Sequence, residues 1–160
     1  AGLAKARARG LPAAVVERAP GEKRATHEDR IAAAIQAAGA DVLCLAGFMR
    51  VLSPAFVGRF ERRIVNIHPS LLPSFPGLEA QRQALEHGAK VSGATVHLVD
   101  AGTDTGPIAA QEAVPVLTGD DEASLAARIL AVEHRLYAAT LARLLGGGWR
   151  VAGRRLLFPG

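Results

Sequence analysis

Apolar positions along this chain fall into short blocks that alternate between helical and strand-like spacing. Residues 1–9 carry Leu3 and several alanines on one side and read as the end of a helix stopped by Gly10. Ala13 to Val16 reads as a short strand and Pro20-Gly21 as a turn. Thr26 then reads as the cap of a helix that shows Ile31 and Ile35 on one face and ends at Gly39. Asp41 to Gly47 contains a continuous apolar run, the pattern of a strand buried on both faces of a parallel sheet. The loop from Phe48 to Leu52 leads to Ser53-Pro54, an N-cap with proline at the first helical position, and so to a helix over 54–60.

The second half continues the alternation. Ile64 to His68 predicts a strand and Leu78 to Glu86 a helix ending at His87-Gly88, which extends the βαβ pattern. Gly93 to Asp100 and Ile108 to Val116 have strand propensity and flank a short loop rich in turn formers, so they predict an antiparallel hairpin. Asp120 or Asp121 begins a long helix bearing Leu125, Ile129, Val132 and Leu136, closed by Gly146-Gly147-Gly148, and Trp149 to Phe158 reads as a small terminal hairpin. The expected fold is α/β: a Rossmann-like open, mainly parallel sheet with helices on both faces and a hairpin near the C-terminal part. With no internal repeat and no low-complexity linker, residues 1–160 read as a single domain. The chain starts without Met and in mid-fold, so a first strand is expected to be missing from it.

Composition narrows the class. At 49% hydrophobic and 21% charged, the 160 residues suit one globular core, and no window has the length of uncharged apolar sequence that a membrane span needs. A cytoplasmic location is expected. The lone Cys44 has no partner for an internal disulfide and, inside an apolar run, is expected to be buried and inert. The net charge of +4 raises the question of nucleic acid, but the basic residues are scattered and a single Tyr and a single Trp offer little stacking surface. Small anionic substrates suit such a surface equally well. The 5 histidines have no metal-ligand spacing, and no metal is expected.

One stretch stands apart from this framework. Alternation along the strand puts Asn66 and His68 on the same face, and Pro69, Pro73, Pro76 and Gly77 impose a stiff, irregular loop just beyond them. Taken alone, Asn66 and His68 read either as a pair converging on a site or as a turn-capping amide beside a satisfied histidine. Asp104, in Gly102-Thr103-Asp104-Thr105-Gly106-Pro107, reads alone as a local turn former, and Glu133 as a solvated helix residue.

The run Asn66-Ile67-His68-Pro69-Ser70-Leu71-Leu72-Pro73, followed by Phe75-Pro76-Gly77, resembles the signature of the 10-formyltetrahydrofolate-dependent formyltransferase superfamily, in particular its glycinamide ribonucleotide branch. Methionyl-tRNA formyltransferases continue differently after Leu-Leu-Pro, and formyltetrahydrofolate hydrolases carry a second His after the first. The resemblance extends over about residues 1–145 and implies formyl transfer to the amine of 5′-phosphoribosylglycinamide, a step of purine synthesis. It also implies the chemistry. Attack of an amine on a formyl carbon creates a negative oxygen and a positive nitrogen, so a site needs an oxyanion donor and a proton relay. The resemblance gives these roles to Asn66 and His68, with Asp104 raising the pKa of His68; Asp100 is the nearby competitor for that carboxylate role.

By position, the resemblance assigns folate contacts to Arg24, Met49, Arg50, Val51, Leu52, Asn66, Asp100, Ala101, Gly102, Thr103 and Asp104. Contacts to the nucleotide substrate fall to Gly47, Pro69 and Glu133. The folate is a cosubstrate, no nucleic acid or membrane partner is implied, and the protein is expected as a monomer or homodimer. Two departures stand out. The family's first strand and Gly-rich phosphate loop have no match here, and Ala138 replaces a frequent Pro. The alternatives implied are a related formyltransferase, a formyltetrahydrofolate hydrolase, or a folate-binding fragment without catalysis.

Overall fold

The computed structural model describes residues 2–48 and 50–159. They form two compact units divided after Ala40. In the first, helix α1 (Gly2–Ala8) is closed by Gly10 at φ 68°, where the left-handed backbone favours glycine. Helix α2 (Arg24–Ala37) follows and ends at Gly39, as its sequence predicts. Its start differs from expectation. Thr26 is inside the helix rather than capping it, because Lys23 is the extended boundary residue and Arg24 pairs with Glu28 one turn on, which extends the first turn upstream. Residues 13–16 are likewise not a strand: Val15 is exposed and no described strand pairs with them. The Val16 carbonyl instead accepts from the buried His27 ring at 2.8 Å.

The second unit is built on one sheet of six strands. In chain order these are β1 (Leu43–Leu45), β2 (Ile64–His68), β3 (Val91–Leu98), β4 (Ile108–Pro115), β5 (Arg150–Ala152) and β6 (Arg155–Leu157). Their order across the sheet is β1-β2-β3-β4-β6-β5. The helices are α3 (Pro54–Arg59), α4 (Ala80–Glu86) and α5 (Glu122–Leu145). β1, α3 and β2 make the expected parallel unit, and the Ser53 hydroxyl accepts from the Phe56 N–H as the cap of α3. β3 and β4 make the expected hairpin, with a bulge between Val96 and His97. The terminal hairpin also forms, and β6 adds to the main sheet parallel to β4.

Two expectations are corrected here. β3 runs antiparallel to β2, so β2, α4 and β3 are not a βαβ unit. Helix length does not set this, since α3, with 6 residues, joins a parallel pair; β3 enters the sheet at the end where β2 leaves it, with His68 opposite Thr95. The chain therefore turns at the end of β2 where the proline loop lies. The second correction is Cys44, which is exposed rather than buried. β1 is only 3 residues long and is an edge strand of the sheet among the described residues. The apolar stripe of α5 packs on β3 and β4, and the Tyr137 hydroxyl lies 2.9 Å from both the Leu45 and Val65 carbonyls. Burial pushes that hydroxyl well above its ordinary pKa, which keeps it a donor.

Register divides the strand residues between two faces. Val65, Ile67, Ala94, Val96 and Leu98 face α5, whose Leu125 and Ile129 are fully buried. Asp121 caps α5 in a capping box with Ser124. Ser92, on the same side of β3, buries its hydroxyl without a hydrogen-bond partner among the described residues. The two positions predict opposite outcomes in chemical denaturation. Leu125→Ala should lose about 2–5 kcal/mol, whereas Ser92→Ala, which removes an unsatisfied group, should be neutral or stabilising. A clear loss in Ser92→Ala would show that its hydroxyl has a partner.

Candidate active site

The opposite face of the sheet is polar at its centre. Antiparallel register sets Asn66 beside His97 and His68 beside Thr95, and Gln111 on β4 lies beside Thr95. All five side chains share one face. His68, His97 and Thr95 are buried, so each polar atom needs a partner, and the loop after β2 supplies many of them. The Thr95 hydroxyl donates to the Ser70 carbonyl at 2.6 Å and accepts from the Leu72 N–H at 3.0 Å. The Gln111 amide donates to the Leu72 carbonyl at 2.8 Å. On the far side of the loop, Gln83 of α4 donates to the carbonyls of Pro76 and Leu78 at 3.0 and 2.8 Å. The proline loop is thus fastened at both ends.

That loop returns two backbone groups to the site. The Phe75 carbonyl accepts from Nε2 of His68 at 2.9 Å, and the Gly77 N–H donates to Oδ2 of Asp104 at 2.8 Å. Asp104 adopts the left-handed conformation at φ 55°, which Asp tolerates better than most residues. Its Oδ2 lies 3.4 Å from His68 Nδ1 and its Oδ1 lies 3.6 Å from His97 Nε2. Arg154 donates to its main-chain carbonyl. Asp104 is therefore no local turn former. Asp100 is one, since its Oδ1 accepts from the Gly102 N–H and the Thr105 hydroxyl.

The structure brings Asn66, His68 and Asp104 together and adds His97, which the sequence did not single out. His97 is 2% exposed, and burial pushes its pKa down. Its Nδ1 lies 3.0 Å from the Leu98 carbonyl and its Nε2 lies 3.3 Å from Asn66 Nδ2. Alternation does put Thr95 and His97 on a common face, but only the antiparallel pairing of β2 with β3 makes it the face of Asn66. Glu133, half-buried on α5, has its carboxyl pKa raised by burial, against the smaller opposing pull of His134 and His68. Leu45 pairs with Asn66 in register, so the turn at Gly47 (φ 63°) follows a strand that ends beside the cluster. Arg50 and Val51 are exposed, Leu52 is half-buried, and Pro69 follows His68 directly. Arg24 belongs to the first unit, where it pairs with Glu28, and Met49 lies outside the described residues. Among the described residues no cluster of metal-ligating groups occurs, and no helix is long and apolar enough to cross a membrane.

Comparison with known proteins gives concordant matches. Residues 1–141 match the family model described as formyl transferase. A phosphoribosylglycinamide formyltransferase of Mycobacterium tuberculosis is 51% identical over 144 residues, which are 90% of this chain and 67% of that protein. A trifunctional purine biosynthetic protein of Drosophila melanogaster is 49% identical over 146 residues, 91% of this chain but only 11% of that much longer protein. The crystal structure of glycinamide ribonucleotide transformylase 1 from Symbiobacterium toebii superposes with a TM-score of 0.92 at 49% identity, covering 98% of this chain and 74% of that one.

The buried imidazole predicts a pH dependence. In the unfolded chain His97 takes up a proton near pH 6.5, whereas in the folded state its pKa is lower. The unfolded state binds more protons below that pH, so stability conferred by a neutral His97 is present above about pH 6.5 and declines as pH falls toward the folded value. Urea denaturation from pH 7.5 down to 5 should show this decline, and His97→Gln should make it shallower. An unchanged slope in the variant would mean that another group carries it.

Proposed function

The chain belongs to the formyl transferase family, and from that we propose that it transfers a formyl group from 10-formyltetrahydrofolate to the amine of 5′-phosphoribosylglycinamide, in purine biosynthesis. The observation that carries the reading is the His68–Asp104 pair at 3.4 Å on the same sheet face as Asn66. The amine lone pair forms the new C–N bond at the formyl carbon, and the carbonyl electrons move onto oxygen. An Asn66 N–H stabilises that oxyanion without changing its own charge. Collapse breaks the bond to N10 of the folate, whose leaving nitrogen takes a proton from His68 while the new amide loses one to solvent. Asp104, with Oδ2 3.4 Å from Nδ1, orients the imidazole.

The binding surfaces follow the family pattern. Arg24, Met49, Arg50, Val51, Leu52 and the loop from Asp100 to Asp104 contact the folate. Gly47 and Pro69 line the path of the amine, and Glu133 accepts from the ribose hydroxyls. The electrostatic interaction of the Glu133 carboxylate with His68 supports this last assignment. The protein acts on these small molecules without a metal, in the cytoplasm, as a monomer or homodimer.

Steady-state assays test the reading. His68→Ala and Asp104→Asn should each lower kcat by about 10²–10⁴-fold, the usual range for loss of acid–base catalysis. Asn keeps the tolerance for φ 55°, so Asp104→Asn should fold normally. Normal turnover in both would refute the roles, and release of free formate in place of formylated ribonucleotide would identify a hydrolase.

A further inference from the structure

We infer that His97 is a positioning residue that fixes the amide of Asn66 so that one N–H is held by the protein and the other is aimed at the reacting oxygen. This rests on the reading of Asn66 as the oxyanion donor. The Leu98 carbonyl, 3.0 Å from Nδ1 of His97, can only accept, so Nδ1 carries the ring proton. A neutral imidazole has a single N–H, and Nε2 therefore presents a lone pair toward Asn66 Nδ2 at 3.3 Å, the Asp104 Oδ1 at 3.6 Å from Nε2 being beyond hydrogen-bond distance. The amide must then turn its NH2 group, not its oxygen, toward His97, because Oδ1 would face that lone pair. One N–H is used, and the geometry of a planar NH2 group sends the other about 120° away.

The neutral state of His97 is what makes the device work. A charged ring would present Nε2–H, attract Oδ1 and turn the amide over. The groups that bear on this charge are Asp104 and Asp100, which favour it, and His68, which opposes it together with burial. At 2% exposure burial is the largest of these. A histidine serves here because it offers one acceptor and one donor on opposite sides of a rigid ring. Among the described residues, His97 is the hydrogen-bond partner of the Asn66 side chain.

The kinetic test is a double-mutant cycle in the protein. His97→Phe keeps the ring volume without the acceptor and should lower kcat about 10–100-fold, bounded by the loss seen when a single oxyanion donor is removed. His97→Gln, whose Oε1 can occupy the position of Nε2, should recover kcat to within about 5-fold of the parent and leave the KM for folate nearly unchanged. In an Asn66→Ala background, His97→Phe should have no further effect on kcat. Multiplicative losses, or normal kcat in His97→Phe while Asn66→Ala is impaired, would overturn the inference alone. Normal kcat in Asn66→Ala would overturn both it and the oxyanion reading. Should His97→Phe not fold, ¹⁵N NMR of the unsubstituted protein decides: Nδ1 protonated and Nε2 unprotonated at neutral pH supports the proposal, and the reverse tautomer overturns it.

Discussion

The site depends on one carboxylate reaching across two loops. Asp104 leaves the hairpin loop between β3 and β4 and accepts the Gly77 N–H from the proline loop, 27 residues earlier in sequence. The same carboxylate faces His68 and His97. Removing an ion from water costs free energy, and for this one, at 14% side-chain exposure, the partners among the described residues are the Gly77 N–H and the His68 ring. Each loop therefore needs the other. The left-handed backbone at Asp104 belongs to the same constraint, since it turns a short side chain away from its own loop and toward Gly77.

What keeps the partners in place is the division of the sheet into two faces. The apolar face is buried under α5, and Val65, Ala94 and Val96 fix the register of β2 against β3. A slip of one residue would turn Asn66 and His68 into the apolar layer and expose Val65 and Ile67. The same packing that stabilises the unit thus sets the direction of each polar side chain in the cluster. Thr95, Gln111 and Gln83 then hold the proline loop to the sheet and to α4, so that Phe75 and Gly77 present main-chain groups at fixed positions. In the proposed reaction this preorganisation matters more than any one contact, because dipoles that are already oriented need not reorganise as charge develops on the formyl oxygen.

Much of this was legible in the chain. The convergence of Asn66 and His68 follows from strand alternation, and the proline-rich loop from backbone chemistry. The resemblance picked Asp104 over Asp100, a choice that residue type could not make because both stand among turn formers. Three features escaped for physical reasons. The direction of β3 depends on which end of the sheet the chain returns to, which periodicity does not encode. The exposure of Cys44 depends on strand position, since an apolar run at the edge of a sheet resembles one at its centre. The partnership of His97 with Asn66 is a contact between strands, invisible until pairing and register are known. Thr26 was misplaced because the chain is already helical from Arg24, after the extended Lys23; the Arg24–Glu28 pair assists that first turn but is worth less than a cap.

The central claim is that His68 and Asp104 act as one unit. Single-turnover formyl transfer in His68→Ala, in Asp104→Asn and in the double variant measures it directly. If Asp104 works through the imidazole, the double variant should be no slower than His68→Ala by more than about 3-fold, the two losses being far from additive. Losses that multiply across the two positions would show that the carboxylate and the imidazole act independently, and would contradict the account.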